Sequence, residues 1–115
     1  MKIAVTYENG KIFQHFGRTP VFAFYDVEDG KVVKKEEVET GEYSHGALVD
    51  FLQQRGAEKL ICGGYGLGAK EKLDAAGIES FGGVSGDADK AVDDYLAGKL
   101  VYDPLAAEHH GPCHH

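Results

Sequence analysis

Three glycines, Gly56, Gly77 and Gly98, divide the second half of the chain into two units of equal length with the same internal order. Each unit begins on glycine, passes through a short apolar run, opens into a glycine-rich loop and ends on a helix-favouring stretch. Strand then helix, twice in succession, predicts parallel β/α units, because a parallel neighbour is reached only by a crossover lying over the sheet. A sheet covered in this way buries both faces, which narrows the choice to mixed α/β architectures.

The first half has a different grammar. Lys2 to Tyr7 is strand-like, and Glu8-Asn9-Gly10-Lys11 carries an Asn-Gly turn. Residues 13–20 form an irregular loop that sets His15 and Arg18 among phenylalanines. Val21 to Val27 is apolar on both faces, as a central strand is, and Glu28-Asp29-Gly30-Lys31 turns the chain into Val32 to Thr40, whose lysines and glutamates suit a solvated edge. Ala47, Leu48, Phe51 and Leu52 then share one helical face, with Ser44 as its cap and Gly56 as its stop. The last helix places Ala88, Ala91, Val92, Tyr95 and Leu96 on one face, with Ser85 or Asp87 as caps.

The resulting order, βββαβαβα, predicts a five-stranded mixed sheet flanked by helices, with only the second strand reversed. Under that topology the His15 loop, the start of the first helix at His45, the loop after Cys62 and the Gly82 to Gly86 loop leave the sheet at its carboxyl edge, where ligands of such sheets bind. The run Leu60-Ile61-Cys62-Gly63-Gly64-Tyr65-Gly66-Leu67-Gly68-Ala69 is strand, glycine loop and helix start in one. Unpaired N–H groups and the dipole of a helix start favour an anion there; the alternative is a turn whose glycines only permit close packing. The spacing is neither that of a dinucleotide fold nor that of a phosphate loop.

A length of 115 residues sets one compact domain, expected over 1–103, with a flexible segment over 104–115. The net charge of −7 disfavours nucleic acid and acidic membranes as partners. No apolar run is long enough for a membrane span, and Met1-Lys2 leads straight into a strand without a leader, so the expected compartment is the cytoplasm. Cys62 and Cys113 are then expected as thiols rather than as a disulfide.

His15-Phe16-Gly17-Arg18 after a strand and turn, His45-Gly46-Ala47 opening a helix, and the run from Leu60 to Ala69 together resemble the dinitrogenase iron-molybdenum cofactor biosynthesis family, the small NifX-like domains also found as the C-terminal part of NifB-type proteins. The resemblance covers about residues 1–102. It implies a ribonuclease H-like fold with strand order 3-2-1-4-5, and a role in carrying or inserting an iron-sulfur or molybdenum/iron-sulfur cluster between donor and acceptor proteins. It also implies a carrier rather than an enzyme. Tyr65 stands where the family often has an aliphatic residue.

His15 is the first candidate ligand, since a neutral imidazole on an anchored loop binds transition metals and the matching family histidine is implicated in cofactor binding. Arg18 offers charged donors to a cluster, or else makes a surface ion pair. His45, at a helix start that favours neutral imidazole, is a second-rank ligand, or else a capping or surface residue. Cys62 is either a thiolate ligand sharpened by the next helix dipole or an apolar core filler. Gly63, Gly64 and Gly66 are the expected backbone cradle. His109, His110, Cys113, His114 and His115 form a biased segment with enough donors for zinc, nickel or copper, which keeps a small mononuclear metal protein as the rival reading. A third reading is an interaction module docking through its acidic surface. Nuclease chemistry is disfavoured, because the first strand carries no aspartate for a two-metal site.

Overall fold

β1 (Lys2–Glu8) is the strand on which the others are registered in the computed structural model, which describes residues 1–40 and 45–103. It pairs antiparallel with β2 (Lys11–Ile12) and β3 (Val21–Glu28), and parallel with β5 (Lys59–Ile61). β4 (Lys31–Glu39) lies antiparallel on β3 and β6 (Glu79–Phe81) parallel on β5, so the sheet reads β4-β3-β1-β5-β6. It has six strands where the sequence predicts five. The addition is the two-residue β2, which the Asn9-Gly10 turn folds back onto the end of β1.

That small strand has a large effect. Tyr7 pairs with Val21 on one side and Ile12 on the other, so β2 holds the same edge of β1 that β5 holds opposite Ile3 to Val5. β5 therefore stops at Ile61, and the chain beyond it has to leave the ladder.

Helices α1 (His45–Gln54), α2 (Leu67–Ala75) and α3 (Ala88–Leu96) close the two faces. Their ends explain the repeated glycines. Gly56, Gly77 and Gly98 all take a positive φ of 74 to 78° just past a helix. In each case the glycine N–H and the next N–H bond back into the last turn, as Gly56 does to the Gln53 carbonyl at 3.0 Å and Ala57 to that of Leu52 at 3.1 Å. The same cap recurs at Gly77-Ile78 and Gly98-Lys99. Glycine holds this conformation without the steric penalty of a side chain. Ser44, the expected cap of the first helix, lies outside the described residues.

One face of the sheet packs Phe22, Phe24 and Leu60 against Leu48, Leu52 and Leu73 of α1 and α2. The other packs Ile3, Val5, Tyr25 and Ile61 against Ala88, Ala91 and Val92 of α3. The alternation of Ile3, Ala4 and Val5 between these clusters shows why β1 is apolar throughout. After α3 the chain returns along β6: Tyr102 meets the Phe81 ring edge-on at 4.9 Å, and the Asp103 N–H bonds the Gly82 carbonyl at 2.8 Å.

β4 forms an edge with most of its residues exposed, and its pairing with β3 shifts register between Asp26 and Val27. One of its lysines ties the hairpin to α3. Lys35 Nζ lies 2.8 Å from Asp89 Oδ1 and 3.1 Å from the Tyr7 hydroxyl, and the Tyr25 hydroxyl donates to Asp89 at 2.7 Å.

Hydrogen bonds from Lys35 and Tyr25 hold the Asp89 carboxyl below the usual carboxylate range. Its contribution is therefore fully present above the unfolded value of about 3.9 and is lost as pH falls through the lower folded value. Because the Asp89 side chain is 59% exposed, solvent screens the pair and the effect is small. Asp89→Asn should lower the unfolding free energy at pH 7 by about 0.5–1 kcal/mol. In urea titrations the gap to wild type should close on acidification from pH 5 to about pH 2.

Candidate functional site

The loop after β1 and the loop after β5 meet because β2 blocks the ladder between them. The Gly64 N–H donates to the Gln14 carbonyl at 2.6 Å, and the Phe16 N–H donates to the Gly64 carbonyl at 3.0 Å, a parallel bridge centred on His15. Gly63 is the closest point of approach, since a Cβ there would stand 2.6 Å from the Gln14 Cα. On the far side the Gly83 N–H donates to the Gly63 carbonyl at 2.7 Å and the Val84 N–H to that of Cys62 at 3.1 Å. Three loops at the carboxyl edge are thus stitched through one glycine pair.

Threonines hold the first of these loops down. Thr6 Oγ1 donates to the Phe13 carbonyl at 2.8 Å. Thr19 Oγ1 accepts the Tyr7 N–H at 3.1 Å and donates to the Val21 carbonyl at 2.7 Å, while Thr40 Oγ1 donates to the Thr19 carbonyl at 2.9 Å. Phe16 is buried against Phe22 with ring centroids 6.0 Å apart. His15 and Arg18, by contrast, are exposed at the two ends of the short 3-10 turn Phe16–Arg18, where the Arg18 N–H bonds the His15 carbonyl at 3.0 Å. The backbone is pinned while the two candidate side chains face solvent. Arg18 makes no ion pair among the described residues.

Between the loops lies a cleft of about 580 Å³, lined by residues 14–18, Gly64, Tyr65, Gly66 and Ala69. Tyr65 is buried, and its hydroxyl is paired with Ser80 Oγ at 2.9 Å, so it is part of the cleft wall. At one wall α2 begins on Gly66, which has an extended backbone and no side-chain cap. The first intrahelical bond is from the Lys70 N–H to the Gly66 carbonyl at 3.1 Å, leaving the N–H groups of Leu67, Gly68 and Ala69 without a helical partner. A cationic side chain, an imidazole and a positive helix end thus surround one opening, an arrangement that suits an anion with metal character.

Of the candidates read from sequence, the structure brings His15, Arg18, Gly64 and Gly66 to this cleft. Gly63 serves packing beneath it. Cys62 is fully buried in the cluster under α1 and α2, and burial pushes its thiol up to about 12. This is the filler alternative and the reverse of an activated thiolate. His45 opens α1, but its side chain lies outside the described residues, as do His109, His110, Cys113, His114 and His115. Among the described residues no three His, Cys, Asp or Glu side chains gather as a metal cage.

Sequence reasoning passed over Gln14 and the three threonines. Gln14 Nε2 donates to the carbonyls of Ile12 at 3.1 Å and Val84 at 3.3 Å, linking the two outer loops. Nothing in its local sequence marks it, because its partners come from distant loops.

Residues 1–98 match the family model described as dinitrogenase iron-molybdenum cofactor. Among solved structures, that of PH0822 is 32% identical with a TM-score of 0.85, covering 90% of this chain and 96% of that one. The apo form of the orange protein from Desulfovibrio gigas is 28% identical with a TM-score of 0.78, covering 90% and 92%. The NifB-like protein TM1290 from Thermotoga is 26% identical with a TM-score of 0.70, covering 91% and 93%.

The two glycines of differing environment make a paired test. Gly63→Ala forces a backbone contact and should cost about 1–3 kcal/mol in urea unfolding, with shifted amide resonances at Gln14 and His15. Gly68→Ala, in the helix with open space around it, should be neutral or stabilising by up to about 1 kcal/mol. In a Cys113→Ser background, Cys62 should resist a thiol reagent at pH 8 and react only once denaturant is added.

Proposed function

Because the chain belongs to the dinitrogenase iron-molybdenum cofactor family, we propose that it is a non-catalytic carrier that receives an anionic metal-sulfur cluster in the cleft between the His15 and Gly64 loops and passes it on. The observation that carries this reading is the bridge at Gly64, which fixes an exposed imidazole and guanidinium beside an uncapped helix start. His15 ligates a metal of the cargo through a ring nitrogen, while Arg18 and the N–H groups at the start of α2 take up its negative charge. The orange protein, whose apo form shares the fold, has by that name a form with a bound group.

The sparse donor set supports carriage over permanent storage. With Cys62 in the core, His15 is the cleft's side-chain metal ligand among the described residues, and the rest of the seat is backbone and charge. Cargo held this way leaves when an acceptor offers a fuller ligand set. The reducing interior of a cell, the cytoplasm, suits such cargo, and donor and acceptor proteins are its partners. None of the described helices is long and apolar enough to cross a membrane.

The test is anaerobic purification without an affinity tag, followed by metal and acid-labile sulfide analysis and a visible spectrum. Wild type should carry iron or molybdenum with stoichiometric sulfide, His15→Ala should lose about tenfold or more of it, and Arg18→Gln should hold it more weakly and with less dependence on salt. Metal without sulfide that is indifferent to His15 would refute the proposal.

A further inference from the structure

Phe13 is a large apolar side chain that neither core uses. It is partly buried and stands outside both clusters that pack the faces of the sheet. It does not line the cleft either. What its ring meets is the imidazole of His15, with ring centroids 6.3 Å apart and planes at 74°, an edge-on contact of the kind aromatic pairs prefer. His15 thus has the cleft on one side and the Phe13 ring on another.

A metal-binding histidine is commonly oriented by a hydrogen bond from its second ring nitrogen to a carboxylate or a carbonyl. Among the described residues no protein group bonds the His15 ring in that way, and the orientation of this exposed side chain falls to Phe13. Phe13 is suited to the task because its own backbone is fixed twice. Its N–H donates to the Thr6 carbonyl at 3.0 Å, and its carbonyl accepts Thr6 Oγ1 at 2.8 Å. The His15 backbone is fixed by its bridge to Gly64. With both backbones held, contact between the rings restricts the rotamers of the imidazole instead of moving the loop. An edge-on pair favours its arrangement by about two- to tenfold.

We infer that Phe13 is a positioning residue for the cargo site: its ring keeps the His15 imidazole directed at the cleft before cargo arrives, so that ligation does not have to order the side chain. This rests on the cluster-carrier reading. Phe13 acts only through His15, since it lies outside the cleft lining. Because it belongs to neither core cluster, its replacement should leave the fold nearly untouched, which separates positioning from support.

The experiment uses the full chain and compares wild type, Phe13→Leu, Phe13→Tyr and His15→Ala. In the metal-free proteins the His15 ring resonances, assigned by their loss in His15→Ala, should carry a ring-current shift that Phe13→Leu removes and Phe13→Tyr keeps. The Gly64 and Phe16 amide resonances and the urea midpoint should stay at their wild-type values in both Phe13 variants. After anaerobic loading with ferrous iron and sulfide, Phe13→Leu should lose iron to a chelator about two- to tenfold faster than wild type, and Phe13→Tyr should release it at the wild-type rate. If wild type loads through His15 while Phe13→Leu keeps both the ring shift and the release rate, the positioning role is refuted and the carrier reading survives. If Phe13→Leu also moves the Gly64 amide and lowers the urea midpoint, or Phe13→Tyr releases iron as fast as Phe13→Leu, Phe13 supports the loop and the inference is overturned. If wild type takes up no sulfide-containing cluster, or His15→Ala loads as well as wild type, the carrier reading and this inference fall together.

Discussion

Two backbones meet at Gln14 and Gly63 with no room for a side chain, and the geometry of the carboxyl edge follows from that contact. It exists because β2 takes the edge of β1 that β5 would otherwise extend along, so that two loops arrive at one place from opposite sides. Their remaining hydrogen bonds join there, to each other and to the loop after β6. What is left open beside the junction is the cleft, whose walls are tied to the sheet by those bonds.

Around that junction, neighbouring residues have opposite fates. Cys62 lies under the helices with its thiol proton held by burial, and Gly64, two positions on, lines the opening. On the facing loop Phe16 is locked in the core while His15 and Arg18 on either side of it are exposed. Apolar side chains fix the loops and polar ones are offered outward, so binding requires little ordering of the site itself. Charge and backbone donors around a single imidazole are what the carrier role proposed above would use.

The hairpins, the central and edge strands and the C-terminal ends of the helices were legible because each depends on local chemistry: Asn9-Gly10 and Asp29-Gly30 both take the positive φ values that tight hairpins require. Asp87, an expected cap of the last helix, by contrast makes no side-chain cap bond. Gly56, Gly77 and Gly98 marked the repeat because helix caps need glycine wherever the helix goes. β2 was not legible, since two residues carry no periodicity and their pairing depends on the rest of β1. The convergence of His15 with the glycine loop followed from topology, but the sequence left Cys62 open between ligand and filler. Depth in a core is a property of the assembled layers, and a small sulfur side chain suits either place. Gln14 and Thr19 were silent for the same reason: their partners are brought by the fold.

The exposed outer strand has one further consequence. A nine-residue edge with open N–H and C=O groups is a template for pairing with any other extended chain, including another copy of this one. β4 counters this with its register shift beside β3 and with lysines and glutamates along nearly its whole length, which would lose water if another strand docked. The same residues that look like unremarkable surface in the sequence therefore disfavour edge-to-edge pairing.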